Sequence, residues 1–419
     1  MTPSFDEKQY LQDLQALIAY DTSRIPAAGD APFGKPTLDA LNTFLKLAAG
    51  YGFKTKNVDN YCGYVEYGSG KQMVALLSHL DVVPAGDPAT WNTPPFKLTV
   101  KDDVMYGRGT VDDKGPLVLA LHVLKALKDS GVQLHKRVRL IVGCGEETGS
   151  ECMQHYTKVE ELPQYAITPD ADYPGIIGEK GVLRLRFHKK LSGREPVIIM
   201  NVGTVINAVP GHAEATVNGK KYEALGRAAH GAMPEKGDNA LLKLCRNLSR
   251  EYRHDFLTLM QLMTKEGLNI DVQDASSVLT LAPSLATVTA TDAEAKCDIR
   301  FPVTMHYAEI LERVQKAVAP TGFEIEVLRA NEPLNIPPDS AFAKGLLATY
   351  QKCTGDTQAK QSIIGGGTYA KFLPHTMAFG ILFPGEEATE HMANERWSLK
   401  SVRKNFPILV EAVKTLDTL

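Results

Sequence analysis

Residues 139–149 read RLIVGCGEETG, an apolar run that passes directly into two adjacent glutamates, Glu146 and Glu147. A short apolar run bounded by glycine has the form of a strand buried on both faces. Neighbouring carboxylates raise each other's pKa unless positive charge lies beside them. A strand that ends on this pair therefore points to cations at its carboxyl end.

Two further runs share the form. MVALLSH (73–79) leads into Asp81, and YAITPD (165–170) ends on Asp170. Between 73–79 and 137–144, GPLVLALHVLKALKDSG (115–131) spaces its apolar residues at helical intervals and stops at a glycine. This alternation predicts an α/β domain, a largely parallel sheet with helices on both faces. After residue 183 the texture changes to alternating segments such as VLRLRFH and AKCDIRFPV beside helical stretches such as NALLKLCRNLSREYR. The reading is a discontinuous catalytic domain, 1–183 and 333–419, carrying an inserted α+β lid over 184–332.

Composition narrows the partners. Of 419 residues, 44% are hydrophobic and 23% charged, a globular balance, and the formal net charge is only −3. Without a basic run, nucleic acid and anionic membrane find no footprint, and small molecules are the expected partners. No stretch reaches the roughly 18 apolar residues of a membrane span. The six cysteines lie scattered without a CxxC pair, which suits free thiols in a reducing compartment, and the N-terminus reads as an amphipathic helix rather than a leader. The expectation is a cytoplasmic protein.

Sites of open α/β sheets form beyond the carboxyl ends of the strands, so His79, Asp81, Glu146, Glu147 and Asp170 can converge although distant in sequence. The glycine-punctuated YGRGTVDDKGP (106–116) presents Asp112 and Asp113, and EEATEHMANERW (386–397) supplies His391. Histidines with several carboxylates are the donors that two zinc-like ions take, one carboxylate bridging. One glutamate of the pair can then bind metal while the other acts as general base. Asp172 competes with Asp170 for its place.

SHLDVVPAGD with the later Trp91, YGRGTVDDKGP, CGEETGSE, TPDADYP, AAHGAMPEKGDNA and EHMANE together resemble the six signature blocks of the M20 co-catalytic metallopeptidases, and most resemble the PepV-type dipeptidases. The resemblance implies His79 and Asp170 on one metal, Glu147 and His391 on the other, Asp112 bridging, Asp81 orienting the His79 ring, and Glu146 activating a metal-bridging water. It also implies a cis peptide at Asp112–Asp113. His230 would stabilise the oxyanion, Arg300 would grip the substrate carboxylate, Asn207 would position substrate, and the loop Gly365, Gly366, Gly367 would bring backbone amides to that carboxylate. The implied enzyme is a dipeptidase holding two divalent ions, zinc first with manganese or cobalt possible, and its long insertion suggests a monomer. An N-acyl amino acid deacylase or desuccinylase would use the same blocks. A non-catalytic binding protein of this fold is expected to have lost Glu146 or a ligand, and here none is missing.

Overall fold

The computed structural model describes residues 2–419 and divides into two compact units. The first comprises residues 2–177, 336–362 and 368–419; the second comprises 178–335 together with 363–367. The second unit thus starts six residues earlier than the change of texture at 184, and it captures the glycine loop from the C-terminal part.

The first unit is built on a mixed sheet. Its strands run in the order Lys54–Val58, Cys62–Tyr67, Arg137–Gly143, Met73–His79, Tyr165–Thr168, Thr376–Ala378. The last four are mutually parallel. Every residue of Met73–His79 is buried, as a parallel strand covered on both faces requires. The first two strands form an antiparallel hairpin at the edge, turning through Asp59 and Asn60 at φ 51° and 63°. Positive φ at successive turn residues matches the right-handed twist of paired strands. Helix Lys114–Asp129 follows the glycine loop and ends just before Gly131, at φ 71°.

Parallel pairing has one decisive result: His79, Gly143 and Thr168 are the last residues of three neighbouring parallel strands. The side chains that follow them leave the sheet at one edge.

The second unit is an α+β body on one antiparallel seven-stranded sheet. The strand Asp292–Phe301 alternates strictly: Ala293, Ala295, Cys297, Ile299 and Phe301 enter the core, while Asp292, Glu294, Lys296, Asp298 and Arg300 form the opposite row. Helices Ala240–Glu251, Asp255–Leu262 and Tyr307–Val318 contribute Leu241, Phe256, Ile310 and Val314 to that core. No described helix is long and apolar enough to cross a membrane.

Candidate metal centre

His79 Nε2 lies 3.0 Å from Asp112 Oδ1 and 3.6 Å from Asp170 Oδ2. On the other side of the same aspartate, His391 Nε2 lies 2.9 Å from Asp112 Oδ2 and 3.1 Å from Glu147 Oε1. Two three-residue donor groups result, His79/Asp112/Asp170 and Asp112/Glu147/His391, each with its donor atoms within 4.8 Å of one another. Asp112 belongs to both, one oxygen to each. His79 is 1% exposed at the side chain and His391 53%, so solvent reaches the centre on the His391 side.

Each donor has a local reason for its position. The His79 ring is turned by its Nδ1, which donates to the backbone carbonyl of Asp81 at 2.9 Å, leaving Nε2 for the aspartates. The Asp81 carboxylate is farther from that nitrogen, 3.5 Å, and accepts instead the amide N–H groups of Glu146 and Glu147, both at 3.0 Å. The Asp81 main-chain carbonyl turns the ring, its carboxylate lies beside the same nitrogen, and that carboxylate also fixes the glutamate turn. Gly145 must be small there, since a Cβ would stand 2.5 Å from the Phe33 ring. The Asp112–Asp113 peptide is cis. Asp113, fully buried, accepts the His79 amide N–H at 2.8 Å and so ties the glycine loop to the strand end. His391 takes a left-handed backbone, φ 62°, uncommon for a non-glycine residue.

The electrostatics show what the donor set lacks. Burial works against a charged His79, but the carboxylates of Asp112, Asp170 and Asp81 prevail and hold the ring protonated well above the ordinary imidazole range. Asp112 and Glu147 push His391 up to about 11. Burial raises Asp112, yet hydrogen bonds from His391 and His79 outweigh it and hold that carboxyl below its usual range. Desolvation pushes Glu146 well up, with Asp170, Glu147 and Asp81 adding to the rise, and Glu147 and Asp170 are raised as well. Asp81, Asp112, Asp113, Glu146, Glu147 and Asp170 together exceed what the two imidazoles can neutralise. A divalent cation held among them would supply such missing charge, and imidazole nitrogen with carboxylate oxygen is the donor chemistry it takes.

Glu395, which the sequence reading did not single out, holds the loop that carries Asp112. Completely buried, it accepts N–H groups from Gly109, Val111 and Asp112 at 2.9–3.1 Å and from the Arg108 guanidinium at 2.7 Å. Its desolvation raises the carboxyl to about 7 against the opposing pull of these donors. The only signal in the sequence is its place at the end of EHMANE.

The remaining expected residues lie in the second unit, where they cluster. The Gly231 amide donates to the Asn207 carbonyl at 2.7 Å, and Ala208 pairs with His230 across a two-stranded ribbon. His230 Nδ1 accepts the Ala232 amide N–H at 3.1 Å, which leaves the ring proton of the neutral imidazole on Nε2. A Cβ on Gly365 would lie 3.2 Å from that of Ala232, and the Gly365 carbonyl accepts from Arg300 Nη1 at 3.2 Å. Gly366 is the middle residue of this loop.

The profile of peptidase family M20/M25/M40 matches residues 75–415. A Bacillus subtilis protein named "Putative dipeptidase YtjP" is 31% identical over 430 aligned residues, 92% of each chain. Two solved structures share the fold at low identity. Human carnosine dipeptidase 1 superposes with a TM-score of 0.64 and 15% identity over 98% of this chain and 96% of that one. The M20 family metallo-carboxypeptidase Sso-CP2 from Sulfolobus solfataricus gives 0.65 and 17% over 99% and 100%. The chain therefore belongs to peptidase family M20/M25/M40 and is a metallopeptidase of the M20 type.

Proposed function

We propose that the protein hydrolyses the peptide bond of dipeptides. The observation that carries this reading is the pair of donor groups sharing Asp112, with Glu146 fixed beside Glu147 by the Asp81 carboxylate. His79 and Asp170 would hold one divalent cation, Glu147 and His391 a second, with Asp112 shared. Zinc is the first choice, and manganese or cobalt suits the same donors. Such ions supply Lewis acidity, which polarises the scissile carbonyl and lowers the pKa of water toward about 7.

The protein's own groups move the proton and hold the substrate. Glu146 takes a proton from the attacking water and delivers it to the leaving nitrogen, a role suited to a carboxyl raised by burial. His230 donates its Nε2–H to the developing oxyanion. Arg300 and the loop through Gly366 bind the free carboxylate, and Asn207 aligns the acyl part. The name of the Bacillus relative speaks for dipeptides among the substrates such a centre can cleave. The free cysteines fit a cytoplasmic location.

The test is amine release from matched dipeptides, tripeptides and N-acyl amino acids by metal-stripped protein reconstituted separately with zinc, manganese and cobalt. Cleavage confined to dipeptides is expected. Preference for an acylated or succinylated amino acid would move the function to a deacylase with the same centre. Glu146→Gln should lower kcat by about 10²–10⁴-fold while metal content stays unchanged; near-normal turnover would remove Glu146 from the base role.

A further inference from the structure

On the strand Asp292–Phe301 the polar row begins exposed at Asp292 and ends buried, with Asp298 at 0% exposure and Arg300 at 6%. A row on the non-core face of a sheet is normally solvated, so burial of two charged residues there needs a specific arrangement. The structure has one. Asp298 accepts from Arg300 twice, Nε at 2.6 Å and Nη2 at 3.2 Å, and from Arg184 Nε at 2.8 Å. Arg184 stands directly opposite Asp298 in the strand register, and Asp298 lies two residues before Arg300 on the same face.

Two consequences follow from this geometry. The first concerns direction. A guanidinium has five N–H donors in a fixed plane. Asp298 takes the Nε–H and one hydrogen of Nη2, and the Gly365 carbonyl takes one of Nη1. One hydrogen on Nη1 and one on Nη2 remain for an acceptor at the outer end of the guanidinium, where a carboxylate can bind. The second concerns charge. Two guanidiniums share one carboxylate, so Arg184, Asp298 and Arg300 together keep one positive charge unneutralised. A buried cation without a full counter-charge favours an anionic partner.

We propose that Asp298 is a positioning residue that presents Arg300 end-on to a free carboxylate of the substrate, and that Arg184 holds Asp298 in place for this. The proposal rests on the reading of Arg300 as the substrate-carboxylate residue. It makes a free α-carboxylate a requirement, set by a residue that does not itself touch the substrate.

The experiment compares one dipeptide with its C-terminal amide on the metal-reconstituted enzyme. The wild type should favour the acid by roughly 10- to 100-fold in kcat/KM, the loss expected when a charged hydrogen-bond partner is removed. In Asp298→Asn, KM for the acid should rise about tenfold with kcat within about twofold, and the acid-to-amide ratio should fall toward one. Arg184→Met, which leaves the Asp298–Arg300 pair in place, should shift the ratio in the same direction by less and carries the test if Asp298→Asn does not fold. Arg186→Gln removes an ion pair of the same sheet, to Glu294 at 2.6 Å, and should leave the ratio unchanged. Binding of acid and amide to Glu146→Gln protein gives the same ratio without turnover. Equal handling of acid and amide by the wild type, or an unchanged ratio in both Asp298→Asn and Arg184→Met, would overturn the proposal. If N-acyl amino acids are cleaved in place of dipeptides, the dipeptidase reading fails, but the ratio between an acyl amino acid and its amide still decides this inference.

Discussion

Glu395 donates nothing to the metal centre and touches no candidate ligand through that ligand's side chain, yet the loop bearing Asp112 hangs on it. Its carboxylate gathers three backbone N–H groups and a guanidinium in a place without solvent. Glu395→Gln puts an amide NH2 where an acceptor was, setting donor against donor. Metal affinity, read by competition with a chelator, should fall about 10- to 100-fold, the usual effect of disturbing groups that hold ligands in place; unchanged affinity would show that the loop holds its own shape. The sequence hid this residue for a physical reason. Its partners are backbone amides of a loop 283–286 positions away, and backbone amides leave no mark on residue identity. His79, Glu147 and Asp170 were legible because each follows an apolar run that could only be a buried strand. Arg300 was legible as a charge but not as a buried one, because the covering carbonyl comes from Gly365, 65 residues on. The two histidines differ in a way no motif conveys: His79 donates from Nδ1 and turns Nε2 to the aspartates, whereas His230 accepts at Nδ1 and keeps its proton on Nε2.

At the level of single elements, the strand Arg137–Gly143 ends on a glycine because nothing larger fits: a Cβ would stand 2.1 Å from the Tyr369 hydroxyl. Tyr369 is completely buried, with its hydroxyl 2.9 Å from Cys152 Sγ and its ring edge-on to His79 at 5.8 Å. Gly143→Ala should cost roughly 1–3 kcal/mol, the usual penalty of overpacking, and lower the melting temperature in calorimetry; an unchanged Tm would mean that Tyr369 moves freely. A loop of the second unit offers a pH test. Asp274 loses solvation, but hydrogen bonds from Ser276, Thr304 and the Ser277 amide outweigh this and hold its carboxyl down to about 2. With an unfolded value near 3.9, its stabilisation is present above about pH 4 and lost as pH falls toward 2. The Tm difference between wild type and Asp274→Asn should therefore be steady at neutral pH and shrink below about pH 4. A difference that stays constant down to pH 3 would refute the assignment. The element types were readable from periodicity, whereas the hairpin of Lys54–Tyr67 and the capture of Ile363–Gly367 by the second unit depend on pairing partners that periodicity does not name.

Taken as a whole molecule, the chain carries charge where sheets are prone to join. The outer strands of the seven-stranded sheet are Lys220–Leu225 and Glu324–Asn331, with Lys220, Lys221, Glu223, Glu324, Glu326 and Arg329 exposed along them beside the apolar Leu225, Val327 and Leu328. Charged side chains on open edges oppose pairing with a second copy. We expect a monomer, a scattering mass near 45.8 kDa at micromolar concentration. Replacing Lys221 and Glu223 together by valine should raise that mass, and a dimer in the wild type would refute the expectation. One further consequence lies in the order of the chain. The second donor group includes His391, and the Asp112 loop rests on Glu395, both far beyond Asp112 in the chain. A fragment cut before them keeps His79, Asp112, Glu147 and Asp170 but lacks His391 and Glu395. The two cation positions would therefore respond differently to truncation: a cut ahead of His391 removes a donor from one and leaves all three side chains of the other in place.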